Sequence, residues 1–184
     1  NSNVFKLINR ESELKIVYGK PNKVEFTPTS GKTRFSVLQS REIDLVYRNT
    51  TWTLTRDTSL GLAFSVINYY DGQGFIVPKN LGVKSASELD GATFCVQQGT
   101  TTELNLSEYM KEKGMSYKTI PIETFQQAIQ TFKAGRCDVY TTDASGLYAA
   151  RATFEDANDY IVLPEIISKE PLGPVVRADD MEFL

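Results

Sequence analysis

The chain has 184 residues, 41% of them hydrophobic and 23% charged, with a formal net charge of −3. This is the make-up of a soluble globular protein of one or two small domains; its mixed charge argues against a nucleic-acid face or strong recruitment to acidic membranes, and no apolar run approaches the roughly 20 residues of a membrane span. There is no histidine, which removes Ser-His and Cys-His pairs and the usual zinc ligand, and lowers the case for hydrolase chemistry.

Residues 4–18 carry apolar groups at loosely helical spacing, stopped by Gly19 and Pro21. The run 23–27 alternates as a strand. Ser30 is placed to cap a helix whose apolar face is Phe35 and Leu38, with Val37 beside it. A strand is expected over 43–47. It leads into Asn49-Thr50-Thr51-Trp52-Thr53-Leu54-Thr55-Arg56-Asp57, a stretch rich in hydroxyls with one guanidinium. Two further strands, 63–67 and 74–77, are expected around the turn Asp71-Gly72. After Pro78 the alternation restarts. It runs through a short capped helix at 85–89, a strand at 92–96, the loop Gly99-Thr100-Thr101-Thr102-Glu103 and a helix stopped at Gly114. A strand at 117–121, a helix from Thr124 to Gly135, a strand at 137–141, a helix at 145–154 and a strand at 160–163 complete it. Such alternation means an α/β fold with largely parallel sheets. Two cysteines, Cys95 and Cys137, are too few for a disulfide scaffold and lack CxxC spacing; they are either one bridge or two buried thiols.

Shifting the chain against itself by 94 residues lays Phe26 on Ile120, Ser30 on Thr124, Phe35 on Ile129 and Leu38 on Phe132. The same shift lays Asp44 on Asp138, Leu45 on Val139 and Asn49 on Asp143. Strand, cap, helix face, turn and strand coincide without a gap, which points to two α/β lobes of one design. Open α/β sheets bind ligands beyond the carboxyl ends of their strands. Asn49 and Asp143 occupy those ends, one per lobe, so a ligand in an interlobe cleft would touch both.

An α-amino acid needs an anion site and a cation site a few ångströms apart. Arg56, Thr51 and the loop carrying Thr100 and Thr101 suit the carboxylate, because a guanidinium fork and the N–H groups opening a helix both favour an anion. Asp143 suits the ammonium. The plainer readings are that Asp143 caps the helix after it, that Thr100 to Thr102 form a capping box with Glu103, and that Arg56 is a surface arginine. Trp52 reads as a packing residue, and Tyr69 and Tyr70 as packing near a crossover.

The stretches 48–61 (RNTTWTLTRDTSLG), 68–75 (NYYDGQGF), 95–106 (CVQQGTTTELNL), 135–139 (GRCDV) and 163–177 (LPEIISKEPLGPVVR) make the resemblance specific. The chain resembles the periplasmic solute-binding proteins of amino-acid ABC transporters, in their general L-amino-acid-binding branch, from about residue 22 to residue 177. The resemblance implies a two-lobe type II periplasmic-binding fold. It assigns Arg56 and Thr51 to a carboxylate clamp, Asn49 to a backbone contact with the amino group, Thr100 and Thr101 to the second-lobe carboxylate loop, and Asp143 to the ammonium. It implies crossovers near 75–79 and 169–174, hinge closure on the ligand, a membrane permease as partner and a periplasmic location in a Gram-negative bacterium. A bridge between Cys95 and Cys137 would fit that compartment.

Departures from the family are concentrated at the ends. The first 20 residues are largely unlike it, no leader peptide is recognisable, and the first-lobe opening strand and closing helices are missing. The chain therefore reads as a mature, trimmed or truncated one: a complete second lobe at 79–170 and an incomplete first lobe at 1–78 and 171–184, with self-association through the clipped lobe expected. The expected function is non-catalytic binding of L-amino acids without a cofactor or metal. The rivals are a truncated homologue that oligomerises without binding, or a dehydratase-like enzyme using Asp143 or Glu103.

Overall fold

A computed structural model describes residues 26–180. The helix expected at 4–18 and most of the strand at 23–27 lie outside the described residues; Phe26 and Thr27, which are described, are not in a strand. In chain order come α1 (Arg34–Gln39), α2 (Leu54–Ser59), β1 (Leu62–Phe64), β2 (Tyr69–Asp71), β3 (Gln73–Pro78), β4 (Thr93–Gln97), α3 (Thr101–Glu112), β5 (Lys118–Ile122), α4 (Phe125–Lys133), β6 (Val139–Asp143), α5 (Ala144–Arg151), β7 (Tyr160–Val162), β8 (Glu170–Leu172) and β9 (Val175–Arg177).

Five strands form one sheet in the order β5-β4-β6-β3-β7. It is mixed rather than largely parallel. β4 runs parallel to β5 and β6, whereas β3 runs antiparallel to β6 and β7. The reason is where β3 enters: Gln73 pairs with Asp143, so β3 begins where β6 ends and must run the other way. Alternation along the strands feeds two helical layers. Phe75, Val77 and Phe94 point to one side, against Leu106 and Met110 of α3. Ile76, Cys95 and Tyr140 point to the other, against Ala128 and Phe132 of α4 and Leu147 and Ala150 of α5. α4 begins with a capping box in which Thr124 and Gln127 bond reciprocally. Cys95 and Cys137 are joined by a disulfide, with Cα atoms 5.6 Å apart, inside the usual span.

The remaining described elements form a smaller body. β1 pairs antiparallel with β9, and α1 covers them through Leu38, which packs with Val46, Leu62 and Val175. Here the local pattern is overruled. The strand expected at 43–47 is a single bridge, Val46 to Val175. The carbonyl of Ile43 instead accepts a hydrogen bond from the Arg177 guanidinium (2.7 Å), which also reaches Leu38 O (3.2 Å) and Asp44 (3.1 Å). The strand expected at 63–67 ends at Phe64, and Val66 stands in solvent. Ser30 opens a turn before α1 rather than capping it directly; its hydroxyl accepts from Thr33 N (3.1 Å), and α1 starts at Arg34.

Two strands join the bodies. β2 pairs antiparallel with β8, with Asp71 opposite Glu170. Asp71-Gly72 is therefore not a hairpin turn. The chain runs on through Gly72 from the β2–β8 pair into the large sheet. A side chain at Gly72 would place its Cβ 2.3 Å from Ile166 and 2.8 Å from the Ser168 carbonyl, so only glycine passes here. This moves the first crossover to β2, ahead of the expected 75–79, and puts residues 73–78 in the large sheet rather than in the smaller body.

Candidate functional site

The site lies where the two bodies meet. From the smaller body, Thr53 caps α2 by accepting from Arg56 N (3.2 Å), and this sets the loop carrying Asn49 and Thr51. From the larger body come Asp143, at the end of β6, and the loop from Gln97 into α3. The turn before α1 also packs closely on the second loop: a Cβ on Gly31 would meet Thr100 Cγ2 at 2.9 Å, and one on Gly99 would meet the Lys32 Cα at 3.1 Å. What remains between them is a polar cavity of about 10 Å³, lined by Arg34, Arg48, Asn49 and Thr51 on one side and Gln97, Thr100, Thr101, Thr142 and Asp143 on the other.

Asn49 Nδ2 donates to Asp143 Oδ2 at 2.7 Å, across the two bodies and across the 94-residue offset of the repeat. Asp143 is 5% exposed. Burial raises its pKa to about 7, against the lowering effect of the Asn49 bond; the negative charges of Asp71 and Glu170 push the same way as burial. Asp143 does not cap α5 with its side chain. Near that terminus, Ala144 N donates to Gly72 O (2.8 Å) and Ser145 N to Asp71 Oδ1 (3.4 Å). Thr100 likewise makes no capping box: its hydroxyl donates to Gln97 O (2.7 Å), while Glu103 accepts from Gly99 N (3.1 Å).

The structure brings together Asn49, Thr51, Thr100, Thr101 and Asp143. It does not bring Arg56 to the cavity wall. Arg56 is buried, donates from Nη1 to Thr51 O (2.8 Å) and lies 5.0 Å over the Phe35 ring. The arginine on the wall is Arg34, which no local motif singles out. It is 3% exposed, donates from Nη1 to Thr50 Oγ1 (3.1 Å) and Asn49 O (3.2 Å), and leaves Nε without a partner. Burial first, then the neighbouring Arg56 and Arg48 cations, lower the Arg34 pKa to about 9. Such crowding of cations beside one buried carboxylate suits a ligand with both signs of charge. A signal was present: Arg34 falls on the apolar side of its helix, one residue before Phe35 and four before Leu38.

A second cavity, about 610 Å³, shares Arg48, Asn49, Gln97, Thr142 and Asp143 with the first. Tyr47, Tyr69, Phe125 and Leu172 give it apolar walls. Tyr69 thus faces a cavity, while Trp52 and Tyr70 are exposed rather than packed. Among the described residues no cluster of three or more His, Cys, Asp or Glu is placed to hold a metal, and no helix is long and apolar enough to cross a membrane.

Comparison with known proteins places these features. Residues 62–160 match the family model described as NMT1/THI5 like. The general L-amino acid-binding periplasmic protein of Rhizobium johnstonii is 57% identical over 167 residues, which are 91% of this chain and 49% of that protein. A periplasmic binding protein of an ABC transporter from Brucella ovis, solved with glutathione bound, is 50% identical with a TM-score of 0.84, over 90% of this chain and 52% of that one. An ancestral arginine-binding protein bound to arginine is 32% identical with a TM-score of 0.78, over 89% of this chain and 71% of that one. The chain spans about half the length of the curated relatives it matches.

Proposed function

The chain belongs to the periplasmic amino-acid-binding proteins of ABC transport systems, and on that premise we propose that it binds L-amino acids between its two lobes, without catalysis. One observation carries the reading. A buried carboxylate, Asp143, is held by Asn49 from the opposite lobe and faces a cavity walled by Arg34, Arg48, Thr51, Thr100 and Thr101 among others. The carboxylate takes the ligand ammonium by a charge-assisted hydrogen bond. The ligand carboxylate takes the Thr51 hydroxyl, the Thr100–Thr101 loop and the positive field of Arg34, Arg48 and Arg56. The side chain extends into the 610 Å³ cavity, whose size fits a broad range of side chains and agrees with the general specificity named for the Rhizobium relative. Glutathione and arginine, bound by the two solved relatives, both carry a free α-ammonium and α-carboxylate.

The proposed setting is the periplasm of a Gram-negative bacterium, with a membrane permease as partner. A second reading, self-association, is favoured by Leu54 and Val66 on the smaller body and Tyr70 on the joining strand β2, which stand 67%, 77% and 78% exposed. Calorimetric titration of L-amino acids, with the mass in solution measured alongside, tests both. The expected result is binding that Asp143→Asn weakens by about 30-fold or more, as loss of one partner of a buried charge pair does. Absence of heat with every amino acid, in a chain that is oligomeric, overturns the first reading in favour of the second.

A further inference from the structure

Glu170 begins β8, on the strand pair that joins the lobes, and is 2% exposed. Four neutral donors converge on its carboxylate. Asn105 Nδ2 (2.7 Å) and Ser168 Oγ (2.6 Å) donate to Oε1. The Thr101 hydroxyl (3.0 Å) and the Thr51 hydroxyl donate to Oε2, and the two hydroxyls lie 3.3 Å apart. Thr51 belongs to the first lobe, Thr101 and Asn105 to α3 of the second, and Glu170 to the crossover itself. One buried carboxylate on the hinge thus binds both sides of the cleft.

A threonine hydroxyl has a single proton to donate, and a carboxylate ligand can only accept. With both protons directed at Glu170, neither Thr51 nor Thr101 has one left for a ligand carboxylate. We infer that Glu170 is an internal stand-in for the ligand carboxylate. It ties the two lobes together through Thr51 and Thr101, and an arriving amino acid must take these two hydroxyls from it. The inference rests on the proposed amino-acid site and adds an occupant to it. Binding is then an exchange of one carboxylate for another, and release of Glu170 from Thr51 and Thr101 transmits occupancy to β8 and its partner β2. A ligand shifts a two-state equilibrium only through contacts that differ between the states, and here those contacts are the two hydroxyl bonds.

Glu170→Gln tests it at constant side-chain size. A glutamine has one acceptor oxygen, and its amide nitrogen donates. With its amide nitrogen toward the threonines, Thr51 and Thr101 accept instead of donating and keep both protons for a ligand; with it toward Asn105, two amide donors oppose each other. Hydrogen exchange on the ligand-free chain is compared between wild type and Glu170→Gln, at amides 50–52 and 101–106, beside calorimetry with L-amino acids. Expected are exchange faster by about tenfold at both segments and amino-acid binding tighter by about tenfold, because the competing latched state is weakened. Unchanged exchange overturns the latch. Faster exchange with equal or weaker binding overturns the exchange of carboxylates. If neither protein binds any amino acid, the proposed function fails, and the exchange result by itself still decides whether Glu170 holds the lobes.

Discussion

The two bodies of this molecule are made differently. The larger has five paired strands, a disulfide and two buried clusters, of ten and nine residues, on opposite faces of its sheet. The smaller has three-residue strands and one buried cluster of four residues among those described. Stability follows buried apolar contact, so on the described residues the smaller body is expected to be the weaker unit and to open first. The site takes half its wall from each. Asp143 and the Thr100–Thr101 loop are held by a rigid sheet. Arg34 stands at the start of the short helix α1, and Asn49 and Thr51 lie on a loop anchored by two isolated bridges, Val46 to Val175 and Thr51 to Leu172, and a few hydrogen bonds. A cleft built this way keeps one wall fixed and lets the other adjust.

The comparison is broken most severely by substitutions in the two cores. Phe94→Ala, in the larger body, should cost about 3–5 kcal/mol and lower the whole denaturant transition. Leu38→Ala should cost about 2–5 kcal/mol by the same mechanism. Its effect on hydrogen exchange should be confined to the smaller body, around Val46 and Val175, while protection in β3, β4 and β6 persists. Equal loss in both bodies after Leu38→Ala would mean that they melt as one. Replacing Cys95 and Cys137 together by alanine removes a bridge with a sequence separation of 42 residues. This should destabilise the larger body by about 2–4 kcal/mol, read as a lower Tm, and narrow the gap between the two.

Asp143 sharpens the comparison at the cleft. Burial raises its pKa to about 7. The folded state therefore holds this proton at pH values where the unfolded chain has lost it, and the associated stability is full below about 4 and is lost as pH rises to about 7. Ligand affinity runs the other way. An ammonium requires the ionised carboxylate, so affinity should fall close to tenfold for each unit of pH below about 7. Calorimetry from pH 5 to pH 8 checks this, and Asp143→Asn should flatten the profile. The smallest effect belongs to a cap. Thr124→Ala removes half of the capping box of α4 and should cost about 1 kcal/mol in the larger body without altering binding.

Much of the larger body was legible in the sequence. Its helices are long or capped, its strands are apolar and its turns carry glycine at positive φ, as at Gly114 and Gly135; local preference and tertiary packing agree there. The repeat offset of 94 residues pointed to Asn49 and Asp143, and the structure joins those two side chains. In the smaller body local preference misled. Residues 43–47 have the composition of a strand, but a ladder needs a partner along its whole length, and only Val46 finds one. Arg56 was singled out for its hydroxyl-rich neighbours, yet its guanidinium is taken by Phe35 and the Thr51 carbonyl. What brings Arg34 to the wall is its position beside Phe35 and Leu38 on a buried helix face.

By itself the sequence determined the α/β class and the order of elements after Pro78, and it named Asn49, Thr51, Thr100, Thr101 and Asp143, which the structure brings together. Those depend on periodicity and chemistry within short windows. Only the tertiary structure decided which arginine faces the cleft, that β3 runs antiparallel in a mixed sheet, and that Glu170 collects the hydroxyls of Thr51 and Thr101. Each of these turns on which groups are brought together from positions 15 to 119 residues apart, and no local pattern encodes the burial that makes one partner better than another.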